Sequence, residues 1–192
     1  MHGPAMAGWL LVALCVAAGS YCLLRLRSSV EEQRGSAGGE ALMGFGMAAM
    51  AVPAAAVPAP PRWVWLVYAA VFAGAALYAL APNRSSARGT AHHAHHLLGM
   101  VAMVYMAGAM AAAPGGAHGA HTAGGAPLVT GVLLVYYAGY VLRTGAGLLP
   151  RPAAAGPAGG GTATVGWGDR PELALACRLS MGIAMLAMLL TL

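Results

Sequence analysis

The sequence predicts an all-α integral membrane protein, a polytopic bundle of about six transmembrane helices. Of its 192 residues, 59% are hydrophobic and 8% are charged, whereas a soluble domain carries about a quarter of its residues as charges. The apolar residues also fall into runs near the ~20 residues that a helix needs to cross a bilayer. Little chain remains for a soluble domain, so we expect a single membrane domain over residues 1–192.

The first three apolar runs have distinct boundaries. The first lacks the positively charged flank of a cleavable signal peptide, so we expect it to remain as a helix. Pro53 is expected to kink the second run near its far end. Trp63 and Trp65 open the third run at the interfacial position that indole rings prefer. These runs predict spans at about 5–24, 41–57 and 63–81.

The last three runs are separated by segments rich in glycine and proline, which are typical of loops. The fourth run follows a group of histidines, and the fifth and sixth follow long segments of small residues. Small residues inside the runs, such as Gly44 and Ala48, would let helix backbones approach closely. The predicted spans are about 96–113, 128–149 and 173–192.

The arginines alternate between loops and therefore predict the topology. The first, third and fifth loops hold most of them, and this pattern places those loops in the cytoplasm and both termini outside the cell. The even loops hold only Arg62. The arginine-bearing positions of the odd loops are Arg25, Arg27, Arg34, Arg84, Arg88, Arg143, Arg151 and Arg170.

The basic residues also indicate the source and exclude one class of partner. All ten are arginine, and alanine, glycine and proline are abundant, as expected for a GC-rich bacterial genome. We therefore expect a multi-pass protein of the bacterial plasma membrane, with the lipid bilayer as its main partner. Because the arginines occupy separate short loops and not one patch with interleaved aromatics, nucleic-acid binding is not expected.

The three cysteines lie within or at the edge of apolar runs. Cys15 and Cys22 share a helix face, but about 10.5 Å of axial rise separates them, which is beyond disulfide reach. Cys177 is near the start of the sixth run. The sequence predicts three free thiols.

Methionine recurs at helical spacing in the even-numbered runs. Residues 43–50 read Met-Gly-Phe-Gly-Met-Ala-Ala-Met, and residues 181–188 read Met-Gly-Ile-Ala-Met-Leu-Ala-Met. Each trio lies on one narrow stripe of its helix. The fourth run carries a looser version, with Met106 at the edge of the stripe. Since these three helices all enter from the predicted cytoplasmic side, their sulfur atoms are expected at similar depths. The members of the looser version are His96, Met100, Met103, Met106 and Met110.

This pattern has two explanations. Thioethers stay neutral, so methionines with a cysteine or histidine can bind soft Cu(I) where the dielectric constant is low. The Met-x3-Met spacing resembles the membrane motif of high-affinity copper transporters. Methionine is also flexible and fills irregular gaps between helices, and such packing is the simpler explanation. The hypothetical metal ligands are Met43, Met47, Met50, His96, Met100, Met103, Cys177, Met181 and Met185.

Histidines form two groups. His92, His93, His95 and His96 come where the third loop meets the fourth run, and they predict either a metal or pH-sensing site or a polar interfacial cap without a ligand. The second group, His118 and His121, lies among glycine and alanine and is interpreted as solvated loop.

Enzymatic chemistry is not predicted. Haem ligation in a membrane bundle requires histidines deep inside spans, and the histidines here lie at ends or in loops. The sequence also contains no catalytic Ser, His and carboxylate set and no phosphate-binding loop. We therefore expect neither an enzyme nor a resident cofactor, with Cu(I) as the one open possibility.

Arg178 is the one fixed charge about a turn inside a predicted span. It can extend its guanidinium to the interface, or it can pair with Glu40 or Glu172 as a gate or structural contact.

Two short motifs resemble a known family. His95-His96 followed by Met100, and Cys177-Arg178 followed by Met181 and Met185, are similar to motifs in small actinobacterial membrane proteins classed as a domain of unknown function. The resemblance spans nearly the whole chain. It implies a six-helix membrane protein rich in methionine and histidine, and it supplies no activity and no catalytic residues.

Two functional hypotheses follow. The first is a non-enzymatic structural or accessory membrane bundle whose methionines serve packing. The second is a copper-handling protein whose sulfur atoms bind or pass Cu(I). Oligomer formation stays open in both.

Overall fold

The computed structural model describes residues 4–27, 31–53, 56–58, 60–81, 90–112, 126–147 and 170–192. Within these ranges the chain forms α-helices and no strand, so the predicted all-α polytopic bundle is confirmed. Five of the described helices are long and apolar enough to cross a membrane. The helices are α1 (Pro4–Arg25), α2 (Glu31–Met50), α3 (Arg62–Leu80), α4 (Thr90–Ala112), α5 (Pro127–Ala146) and α6 (Pro171–Leu190).

The helix outside that group of five is α2, and its bounds correct the sequence prediction. It spans Glu31–Met50 and not 41–57. Pro53 therefore follows the helix and does not kink it, because the last helical residue is Met50. The first half of α2 is polar. The sequence prediction looked for apolar runs long enough to cross a bilayer, and such runs are expected of helices that face lipid. It therefore did not find the polar half of α2.

The burial of α2 explains how so polar a helix fits in the bundle. Its side chains from Ser36 onward are mostly buried, and it contacts α1, α4 and α6. A helix enclosed by other helices can satisfy polar groups through protein contacts and needs no continuous apolar surface. The structure therefore places α2 in the interior of the bundle.

Consecutive helices pack in pairs: α1 with α2, α3 with α4 and α5 with α6. α1 and α2 run antiparallel and approach closely at two glycines, since a Cβ added to Gly44 would lie 2.9 Å from the Gly19 Cα. The small residue predicted at position 44 therefore has a structural role in α1–α2 packing. Farther along the pair, Gly8 of α1 faces Pro53.

The bounds of the other helices lie close to their predicted spans, with one informative difference. α4 begins at Thr90, well before the predicted residue 96, so the histidines at 92, 93, 95 and 96 are helical. His118 and His121 lie outside the described residues. α3 and α5 expose most of their large apolar side chains, as expected of helices that face lipid. Examples are Leu66, Val71, Leu77, Val132, Val135 and Leu142.

Candidate functional site

A buried ion cluster joins α1, α2 and α6. Arg25, in the last turn of α1, donates from Nη1 to Glu40 Oε2 of α2. Arg178 of α6 donates from Nε to the other carboxylate oxygen, Oε1, at 3.3 Å. We call Arg25, Glu40 and Arg178 the charge cluster. It accounts for a charge in the middle of α2, because a carboxylate that is not exposed to water needs a cation beside it.

The three members of the charge cluster differ in exposure. The Arg25 side chain is 0% exposed and that of Glu40 is 5% exposed, whereas that of Arg178 is 31% exposed. Arg178 therefore both pairs with Glu40 and reaches the surface, which combines the two roles predicted for it. Glu172, the other predicted partner, is an exposed residue in the first turn of α6.

Two cysteines adjoin the charge cluster. The Cys22 thiol donates to Glu40 Oε2 at 3.7 Å. Cys177 directly precedes Arg178 on α6. All three cysteines are free, as predicted. Cys22 was not among the predicted ligands. Its contact with Glu40 joins two helices, and the spacing of residues within one helix cannot reveal such a contact.

A second polar group links α4 to α5. His95 Nδ1 and the Tyr136 hydroxyl are 2.8 Å apart, and the His95 ring stacks on Tyr140 with centroids 3.8 Å apart. Tyr140 packs against Gly182 of α6, one turn after Arg178, which places this group beside the charge cluster. Polar side chains from α1, α2, α4, α5 and α6 thus gather at one end of the bundle, which we call the polar end.

Most members of the predicted methionine stripes face the interior of the bundle. Nine methionines of α2, α4 and α6 are buried and belong to one hydrophobic core. Met110, which the sequence placed on the α4 stripe, is only half-buried. Met43 contacts Gly99 of α4, and Met103 contacts Gly46 of α2. We call these nine residues the methionine core: Met43, Met47, Met50, Met100, Met103, Met106, Met181, Met185 and Met188.

The other two predicted ligands sit at the polar end. Cys177 is half-buried, and the half-buried His96 imidazole fills the space that a Cβ on Gly39 would occupy. Met106, predicted at the edge of its stripe, is fully buried. Within the described part of the chain, no group of three or more His, Cys, Asp or Glu side chains is arranged to hold a metal ion.

A family model agrees with this architecture. The model for a domain of unknown function (DUF5134) matches residues 32–192, which run from the start of α2 to the end of the chain. The chain belongs to this family. No curated protein and no solved structure matches the chain.

Membership of DUF5134 confirms the resemblance in its general form, a family classed as a domain of unknown function. The match contains Glu40, Arg178 and the methionine core, while α1 with Arg25 and Cys22 lies before it. The charge cluster therefore joins a helix outside the matched segment to two helices inside it.

Proposed function

We propose that this DUF5134 protein is a non-enzymatic accessory protein of the membrane. The observation that supports the proposal is the pairing of Glu40 with arginines from two other helices. The charges in the interior are used in contacts between helices, which stabilise one arrangement of the bundle. The outer faces of α3 and α5 are apolar and suit contact with lipid or with another membrane protein.

The location and source belong to the same proposal. We place the protein in the plasma membrane of a bacterium, from an actinobacterial source, with both termini outside the cell. The alternation of arginines between loops supports the orientation. The composition of the chain, with arginine as its one basic residue type besides histidine, and the resemblance of the two short motifs support the source. In this orientation the polar end faces the cytoplasm.

Photo-crosslinking in cells tests the accessory role. A photoreactive residue is placed at Leu66 or Leu77 of α3 and at Val135 or Leu142 of α5, all of them exposed. Buried Leu133 is the matched control in α5. An accessory protein gives a discrete product with one protein from at least one exposed face and none from Leu133. Lipid adducts alone at all four exposed positions would contradict the proposal.

A second candidate function is the handling of Cu(I). The specific observation in its favour is the methionine core, in which thioethers from three helices share one hydrophobic core. Such ligands suit a soft monovalent cation. The two cysteines at the polar end would supply a thiol entry to that core.

Metal analysis separates the two candidates. The wild-type protein and a Met47→Leu, Met103→Leu, Met185→Leu variant are loaded with Cu(I) and washed with a Cu(I) chelator. The substitutions nearly conserve volume, so each should cost less than about 1.5 kcal/mol in stability. Copper retained by the wild type and lost by the variant supports copper handling. Equal copper content in the two proteins refutes it, and the exposed Met6→Leu is the matched control.

A further inference from the structure

The charge cluster contains more cationic than anionic groups. Arg25 and Arg178 both pair with Glu40, and neither has a second carboxylate partner among the described residues. Two guanidinium groups share one carboxylate, so within the described part of the chain the cluster carries one more positive than negative charge.

One edge of the Arg25 guanidinium makes no hydrogen bond to the residues that the structure describes. Nη1 binds Glu40, while Nε and Nη2 are buried and have no hydrogen-bond partner within the described ranges. The Nε–H bond and one Nη2–H bond are parallel, and this edge binds two oxygens of a carboxylate or phosphate at once. Buried donors without partners are costly, so this edge indicates an oxyanion as the missing partner.

The surroundings of the charge cluster favour phosphate. The Arg178 side chain is partly exposed, so the charge cluster reaches the protein surface. The exposed Arg27 and Arg170 lie at the same end of the bundle. The Tyr21 hydroxyl donates to the Arg170 carbonyl at 3.4 Å, which holds the start of α6 beside α1. Basic pockets between helices at the cytoplasmic face bind the phosphates of anionic lipid headgroups.

We propose that the Nε and Nη2 edge of Arg25, together with Arg178, binds a phosphate group between α1 and α6 at the polar end. The phosphate belongs either to the headgroup of an anionic phospholipid or to a soluble phosphate. Arg25 holds two of its oxygens, and Arg178 neutralises its charge from the more exposed side. This site is independent of the accessory role and of the methionine core.

The test compares Arg25→Lys with Arg27→Lys in the full chain. Lysine at position 25 keeps the positive charge beside Glu40 but lacks the two-donor edge, so folding is retained while the oxyanion contact is lost. Arg27 is exposed, and its replacement is the matched control. Native mass spectrometry of delipidated protein in detergent is performed with phosphatidylglycerol, phosphatidylcholine and inorganic phosphate as separate additions.

We expect saturable phosphate binding that weakens about tenfold or more in Arg25→Lys and less than about twofold in Arg27→Lys. Retention of phosphatidylglycerol over phosphatidylcholine identifies a lipid headgroup as the source. Binding of inorganic phosphate without that lipid preference identifies a soluble phosphate.

Two results would overturn the site: no phosphate binding by the wild type in any arm, or equal losses in Arg25→Lys and Arg27→Lys. Arg178→Gln provides a second measurement if Arg25→Lys is poorly folded, since the Arg25–Glu40 pair remains intact in it. We expect at least a threefold loss in that variant, and unchanged binding would also overturn the site.

Discussion

The charge cluster makes the stability of the bundle depend on Glu40. Glu40→Gln preserves the size of the side chain but removes its charge, which leaves the fully buried Arg25 without a counter-ion. Breaking a buried ion pair by removing one partner costs about 3 to 5 kcal/mol in the free energy of unfolding. We expect a loss of about 3 kcal/mol, because glutamine still offers one oxygen to Arg25.

Reversible unfolding in mixed micelles, without phosphate or added lipid, measures this loss. The matched control is Glu172→Gln on the exposed start of α6, for which a change within about 0.5 kcal/mol is expected. The double variant Arg25→Gln, Glu40→Gln removes both charges of the buried pair, so it should be more stable than Glu40→Gln alone. A Glu40→Gln protein within about 1 kcal/mol of the wild type, or a double variant less stable than the single one, would refute the reasoning.

Three further predictions concern packing, the second polar group and topology. Gly44→Ala should destabilise the bundle by about 1 to 3 kcal/mol in the same assay, because its Cβ would meet the Gly19 backbone, whereas Gly74→Ala has open space around it and should not destabilise; equal effects would contradict the close contact. Tyr136→Phe should cost about 1 kcal/mol by removing the hydrogen bond to His95, and unchanged stability would show that this bond contributes nothing. Reporter fusions near Arg27, Arg84 and Arg151 should all report the cytoplasm, and reporters on opposite faces would overturn the topology.

The methionines show how far the sequence could predict the interior of the bundle. Their spacing predicted that each set shares one stripe of its helix, because helical periodicity is a local property of the chain. The element against which each stripe packs depends on the tertiary arrangement of the helices. Spacing alone therefore left open whether Met47, Met103 and Met185 face lipid or one another.

The sequence placed Arg25 in the first loop and began the second span at about residue 41, just after Glu40. Both residues are instead buried in helices. A charge after an apolar run usually marks the membrane interface, so each residue alone supported that assignment. The two residues belong to the interior because α1 and α2 pack antiparallel and bring them together. Arg178 was better predicted, since a charge inside an apolar run requires a partner and the chain offers few carboxylates.

The charge cluster also explains how α2 can lie in the interior of the bundle. A charged residue at the centre of a membrane helix costs about 2.5 to 3.5 kcal/mol on insertion scales. α2 carries Glu40 near its middle, and it is the described helix outside the five that are apolar enough to cross a membrane. α1 precedes it, contacts it along its length, and ends in the arginine that neutralises Glu40. α1 therefore supplies the positive charge that Glu40 needs in the interior of the bundle, and Arg178 of α6 supplies a second one.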